Sequence, residues 1–237
     1  IVFGDWSSDV CSSDLKNRII PGMKQSVQIS AARLYLRPLV PADAMELFNY
    51  RSDPVINRYQ GWVPACPEDA EQFIKTRVSP VINIQGTWFQ YAVILKATGK
   101  IIGDIGLHFF DNENSQVELG CTLAGDYQCK GYAREALSEV ISYLFSTLDK
   151  HRLIAVIDPE NSRSINLFER LGFRKEAHFR KCRMLNGVWV DDLVYALLRD
   201  EMLSAVNSIT HEKRESTAKA PDDHQSMSEP PADSPME

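Results

Sequence analysis

Gly125-Asp126-Tyr127-Gln128-Cys129-Lys130-Gly131-Tyr132-Ala133-Arg134-Glu135-Ala136 is the stretch whose residue types and spacing could best do chemistry together. It stands where an apolar run ends and a helical period begins. A glycine and small residues there let several backbone N–H groups converge on one point, and the partial positive charge of a helix start lies behind them. That arrangement suits a pyrophosphate. No G-K-[ST] follows, so it is not a Walker loop, and it lacks the G-x-G-x-x-G of dinucleotide folds. The plain alternative is a tight strand-to-helix turn with Gly131 at a constrained backbone angle.

Other chemistry is thinner. The five cysteines (Cys11, Cys66, Cys121, Cys129, Cys182) form no C-x-x-C pair and no metal-ligand spacing with the five histidines, so free thiols and no metal are expected. Arg174, Lys175, His178, Arg180, Lys181 and Arg183 make a basic run. Alternate strand residues point to opposite faces and only Phe179 interleaves, so a solvated outer strand is favoured over an RNA-binding one. Tyr59, Trp62 and Trp88 are candidates for lining a cleft, or for plain core.

The elements that must hold the turn are legible from periodicity. Ala32 to Val40 alternates as a half-buried strand, and Pro41 can open a helix whose apolar face is Ala44, Leu47 and Phe48. A second helix is expected from Pro67, acidic at its start with Glu68, Asp69 and Glu71, to near Pro80. Thr87 to Leu95, Ile101 to Phe110 and Gln116 to Leu123 read as an antiparallel meander. Ala133, Ala136, Leu137, Val140, Ile141, Leu144 and Leu148 then mark a long amphipathic helix. Leu153 to Ile157 reads as a central strand and Ser162 to Leu171 as a helix closed by Gly172. Asn186-Gly187 joins strands Arg174 to Met184 and Val188 to Leu198. The expected class is α/β with a mixed sheet in one domain, in the order β-α-α-β-β-β-α-β-α-β-β.

Gln128 to Ala133 resembles the Q/R-x-x-G-x-G/A pyrophosphate signature of the GNAT superfamily of N-acetyltransferases. Asn161 with Ser164 resembles its N-x-x-S/A segment, and Leu171-Gly172-Phe173 its closing L-G-F. Leu34 to Ala44, Val117-Glu118-Leu119-Gly120 and Asn186 to Asp191 are similar to the ribosomal-protein N-terminal acetyltransferase branch. The resemblance spans roughly residues 32 to 200, in the element order derived above.

The resemblance implies the GNAT fold, acetyl-CoA as co-substrate, and a primary amine as acceptor. Backbone N–H groups from Cys129 to Ala133, including Lys130, Gly131 and Tyr132, would hold the pyrophosphate, with Gln128 and Lys130 at its edge. Cys129 stands where the family often has glycine, which is tolerable if the position needs no positive φ. The strand Gln116 to Leu123 would bulge and splay from the next, so that pantetheine pairs with backbone around Leu119, Cys121 and Leu123. Glu118, the sole carboxylate in the run Gln116 to Gly125, is the candidate general base; the alternative is a solvent-facing or ion-paired strand residue. Phe168 replaces the family's usual tyrosine acid and is expected to contact the cofactor instead, leaving Ser164 one turn earlier as the candidate acid. Asn161 would bond the cofactor or cap its helix. The expected acceptor is a protein N-terminus, with a small amine (antibiotic or polyamine) or a catalytically silent acyl-CoA binder as alternatives. No nucleic-acid or membrane partner is expected, and a homodimer is allowed.

The 237-residue chain has a formal charge of -6 that is concentrated at its ends. Asp5 to Leu15 resembles a translated short-read sequencing adapter, so residues 1–22 are expected to be a non-native extension with Met23 as the natural start. Residues 211–237, rich in Pro, Ser, Asp and Glu, are expected to be a disordered acidic tail. The remainder, 23–210, is near-neutral, with no bulk attraction for nucleic acid or anionic lipid, and the resemblance implies that it is the acetyltransferase domain. With no signal peptide and no run near the roughly 18 apolar residues of a membrane helix, a cytoplasmic location is expected.

Overall fold

The computed structural model describes residues 27–202. The expected extension 1–22, the Met23 start and the acidic tail 211–237 lie outside the described residues. The fold occupies a unit ending at Arg199; of a second unit, Asp200–Glu237, only a helical piece to Met202 is described.

Eight strands form one mixed sheet: β1 Ile29–Ser30, β2 Leu34–Pro38, β3 Thr87–Leu95, β4 Ile101–Phe109, β5 Gln116–Leu123, β6 Arg152–Ile157, β7 Arg174–Leu185 and β8 Val188–Leu198. Their spatial order is β1-β2-β3-β4-β5-β6-β8-β7. All neighbours are antiparallel except β5 and β6, which are joined through the helix Tyr132–Ser146 and run parallel. β1, which the sequence pattern did not suggest, is a two-residue edge, and the first long strand is correspondingly shorter than Ala32 to Val40. The Asn186-Gly187 hairpin forms as expected, both residues at positive φ.

Register and alternation sort the middle strands into two faces. Trp88, Gln90 and Ala92, then His108, Gly106 and Asp104, then Glu118, Gly120 and Thr122 share one face. Helices α1 (Ala44–Arg51) and α2 (Pro67–Arg77) cover it, with Leu47, Ala70, Phe73 and Ile74 in a buried cluster that includes Ala92. A buried polar knot fastens α1 there. Asp104 accepts from Tyr50 Oη (2.7 Å), Arg51 Nη2 (2.5 Å) and Gln90 Nε2 (2.5 Å), so its charge is both paired and solvated by donors. Arg51 Nη1 continues to Gln60 Oε1, and Gln60 Nε2 to Thr122 Oγ1 of β5.

The opposite face is apolar: Phe89, Tyr91, Ile105, Leu107, Val117 and Leu119 are all buried. Helix α3 (Tyr132–Ser146) packs there on β2 and β5 through Ala136, Leu137, Val140, Ile141 and Leu144. Helix α4 (Ser162–Arg170) follows β6, and Gly172 closes it at φ +91° while Phe173 N–H donates to Phe168 O. β7 lies at the sheet edge with most side chains exposed. Its basic run is partly answered by β8: His178 Nε2 is 2.7 Å from Asp191 Oδ2 and Arg183 bonds Asp192.

Candidate acetyl-transfer site

The two central parallel strands diverge. β5 and β6 pair at only three rungs, Gln116 with Arg152, Val117 with Leu153 and Glu118 with Ile154. Beyond Glu118, Leu119 to Leu123 pair with β4 alone, so among the described residues the other backbone edge of β5 has no strand partner. The splay is therefore present, but the bulge implied in β5 is not. Glu118 to Leu123 run in unbroken register against β4, and the shift in the meander falls at Val93/Ile94 instead.

Glu118 sits at the fork, 8% exposed. It faces His108 across β4–β5, with Oε2 3.5 Å from Nδ1, and His108 stacks flat on Trp88 (centroids 4.5 Å apart, 6° between planes). Three adjacent strands thus place Trp88, His108 and Glu118 in one row. His108 escaped the sequence reading because its partners are ten and twenty residues away. Trp88 reaches this row, whereas Trp62 stacks on Phe73 of α2 (4.2 Å) and belongs to the core there. Tyr59 Oη donates to Glu160 O (3.2 Å), tying the α1–α2 link to the β6–α4 link.

The turn after β5 leads into α3. A 3-10 turn, Gly125–Tyr127, sets Gln128 so that its Nε2 donates to Leu123 O (2.9 Å) and its Oε1 accepts from Arg163 Nη1 (3.1 Å). Gly131 is the N-cap of α3 at φ +81°, and no side chain caps this helix. Its first N–H groups therefore lack the partner that Asn161 supplies to α4, where Oδ1 accepts from Ser164 N (3.1 Å). An open start behind a left-handed glycine fits a diphosphate.

Two expectations need correcting. Cys129 has φ +58°, so the condition under which it replaces glycine without strain is not met; its side chain is exposed. Phe168 is fully buried, edge-on to Phe173 (5.0 Å), because its phase on α4 turns it into the core; it has no surface to offer a cofactor. The side chains of Leu119 and Leu123 are buried, which leaves their backbone, the part expected to meet a ligand. Among the others, Ser164, Asn161, Gln128, Tyr132 and Ala133 are half-buried and Lys130 exposed. Burial, with the charge of Asp104 adding, pushes the Cys121 thiol up to about 12. Among the described residues no cluster of three or more His, Cys, Asp or Glu could hold a metal ion, and no helix is long and apolar enough to cross a membrane.

Residues 33–174 match the Acetyltransferase (GNAT) domain family. The chain belongs to the GNAT acetyltransferases. It is 31% identical to the uncharacterized N-acetyltransferase p20 of Bacillus licheniformis over 169 residues, 71% of this chain and 94% of that protein. A crystal structure of a GNAT-family acetyltransferase from Bacillus anthracis superposes with a TM-score of 0.65 at 29% identity, covering 73% of this chain and 99% of that one. A shorter match, 38% over 79 residues (33% of this chain, 41% of the relative), is to the ribosomal protein uS5-alanine N-acetyltransferase of Escherichia coli. The chain is thus a GNAT N-acetyltransferase.

Proposed function

We propose that this GNAT enzyme moves an acetyl group from acetyl-CoA to a protein N-terminal α-amine, with Glu118 as general base. The observation that carries the reading is the fork at Glu118: a nearly buried carboxylate at the last β5–β6 rung, immediately before an unpaired strand edge. The uncapped turn at Gly131 would take the diphosphate, and backbone of Leu119 to Leu123 the pantetheine arm. An α-amine has an ordinary pKa of roughly 7.7–8.0, so a fraction of it is already neutral near pH 7 and the base need only draw a proton from nitrogen as attack proceeds. The nitrogen lone pair then attacks the thioester carbon, the C–S bond breaks, and the second N–H proton leaves as the amide forms. The CoA thiolate takes up a proton through Ser164 or water, which the second N–H proton, drawn off by Glu118, replaces; the first passed to solvent when the ammonium became neutral, and Phe168 carries no hydroxyl. The uS5-alanine acetyltransferase relative supports the choice of acceptor.

Acetyl-CoA-dependent thiol release tests this with peptides bearing a free N-terminal alanine or serine, the same peptides N-terminally blocked, and spermidine. Turnover restricted to the free-ended peptides is expected. Turnover on spermidine alone would replace the acceptor assignment with a small amine, and binding without turnover on any acceptor would overturn the enzyme reading of the site.

A further inference from the structure

We propose that Arg33, in the link between β1 and β2, is the positioning residue that makes the α3 turn fit for a diphosphate. It holds both limbs of the turn, masks the carboxylate of Glu135, and keeps Nη2 over Gly131 for a phosphate oxygen. The inference rests on the reading of this turn as the acetyl-CoA diphosphate site.

One residue makes every one of these contacts. Backbone N and Nε of Arg33 donate to Glu135 Oε1 (2.6 Å) and Oε2 (2.7 Å), on the first turn of α3. Nη1 donates to Lys130 O (3.1 Å), just before the N-cap. The guanidinium lies 4.4 Å from the centre of the Tyr132 ring. Nη2 comes within 3.4 Å of where a Cβ would stand on Gly131, and it makes no hydrogen bond among the described residues. The fork of an arginine, two of its nitrogens already fixed, thus presents the third at the open helix start.

Charge gives the arrangement a purpose beyond holding the helix. An ion pair this exposed adds little stability by itself. A carboxylate on the first turn, however, would repel two phosphates. Burial works to raise the Glu135 carboxyl, but the donors of Arg33 outweigh it and hold the group below its ordinary value, so it is charged at neutral pH. Arg33 cancels that charge at its source. Lys130 does not take over this task from its observed position, since its Nζ lies 5.8 Å from the centre of the Tyr127 ring.

Calorimetric titration of the full chain with CoA, dephospho-CoA and pantetheine tests the proposal without relying on turnover. For Arg33→Ala, affinity for both CoA and dephospho-CoA should fall about tenfold to hundredfold, the range for a hydrogen bond to a charged group. Pantetheine, which has no diphosphate, should bind as it does to the wild type. Arg33→Lys should fall between, and Arg33→Ala with Glu135→Gln should regain part of the loss. Equal weakening of all three ligands would reduce Arg33 to a structural tie and overturn the proposal, as would unchanged CoA binding. A loss seen with CoA but not with dephospho-CoA would move the contact to the 3′-phosphate and also overturn it. A wild type that binds CoA no better than pantetheine would instead remove the diphosphate site itself.

Discussion

Glu118 and His108 stand opposite each other on β5 and β4, carboxylate to imidazole at 3.5 Å, on the rung where β5 parts from β6. A carboxylate held there by a neighbour and by burial is oriented before any amine arrives. Glu118→Gln keeps the shape and removes the proton acceptor. Turnover at neutral pH should fall by about 10²- to 10⁴-fold, the usual worth of a positioned base. The affinity for acetyl-CoA, measured by titration, should not change. Equal turnover of both forms across the neutral and alkaline range would take Glu118 out of the chemistry.

Cys129 sits in the left-handed region at φ +58°. A residue with a Cβ is disfavoured there by roughly 1–2 kcal/mol, and glycine gives back about 0.5–1 kcal/mol in lost chain entropy. Cys129→Gly should therefore be neutral to stabilising by up to about 1 kcal/mol in denaturant unfolding, with acetyl-CoA affinity retained. Cys129→Val, branched at Cβ, should destabilise. If Cys129→Gly were clearly less stable than wild type, the thiol would be holding the turn through contacts of its own.

Gly103 on β4 has no room for a side chain. A Cβ there would meet Thr122 O at 2.2 Å and Leu123 Cδ2 at 2.6 Å, both on β5. Gly103→Ala must push β5 away at the end that forms the open edge, at a cost of about 1–3 kcal/mol or more. Turnover should fall with it although no site side chain is altered. Gly61→Ala is the control: nothing lies within 4 Å of its Cβ position, and melting should stay within about ±0.5 kcal/mol of wild type. Similar losses in both variants would mean that crowding at Gly103 is not the cause.

What could be read from the sequence is what depends on near neighbours. Leu137, Val140, Ile141 and Leu144 announce α3 by their spacing, Asn186-Gly187 its hairpin, and Asn161 its cap, because a period or a turn type is a local property. The turn at Gly131 that opens α3 is legible for the same reason. What stayed hidden depends on register or distance. His108 meets Glu118 only because the β4–β5 hairpin brings them level, and Arg33 reaches Lys130 and Glu135 across about a hundred residues of chain. β1 is two residues long, too short for any period, and is anchored by Lys96 Nζ on Ser30 Oγ (2.9 Å) and Ala31 O (2.5 Å). The backbone angle of Cys129 is imposed by the turn against the preference of its residue type. Phe168 was read by family position, when its helical phase decides that it packs on Phe173.

Asp111 closes the turn between β4 and β5 that sets Glu118 in register. Its Oδ2 accepts from Ser115 N (2.9 Å) and Oγ (2.7 Å), and its Oδ1 from Gln116 N (2.9 Å). Burial acts to raise this carboxyl, but the N–H donors and the Ser115 hydroxyl outweigh it and hold the group below its ordinary value. A carboxyl depressed in the fold contributes stability that is fully present above its unfolded value, about 3.9, and lost as pH falls through the lower folded value. Glu135, held down by Arg33, acts in the same direction from about 4.3. The melting temperature of the wild type should accordingly drop on the acid side. Asp111→Asn keeps one oxygen acceptor and cannot be protonated in this range, so it should melt lower at neutral pH and decline less steeply toward acid. Thermal unfolding of both forms from neutrality to about pH 3 reads the difference, and parallel curves would show that Asp111 contributes nothing to the acid loss.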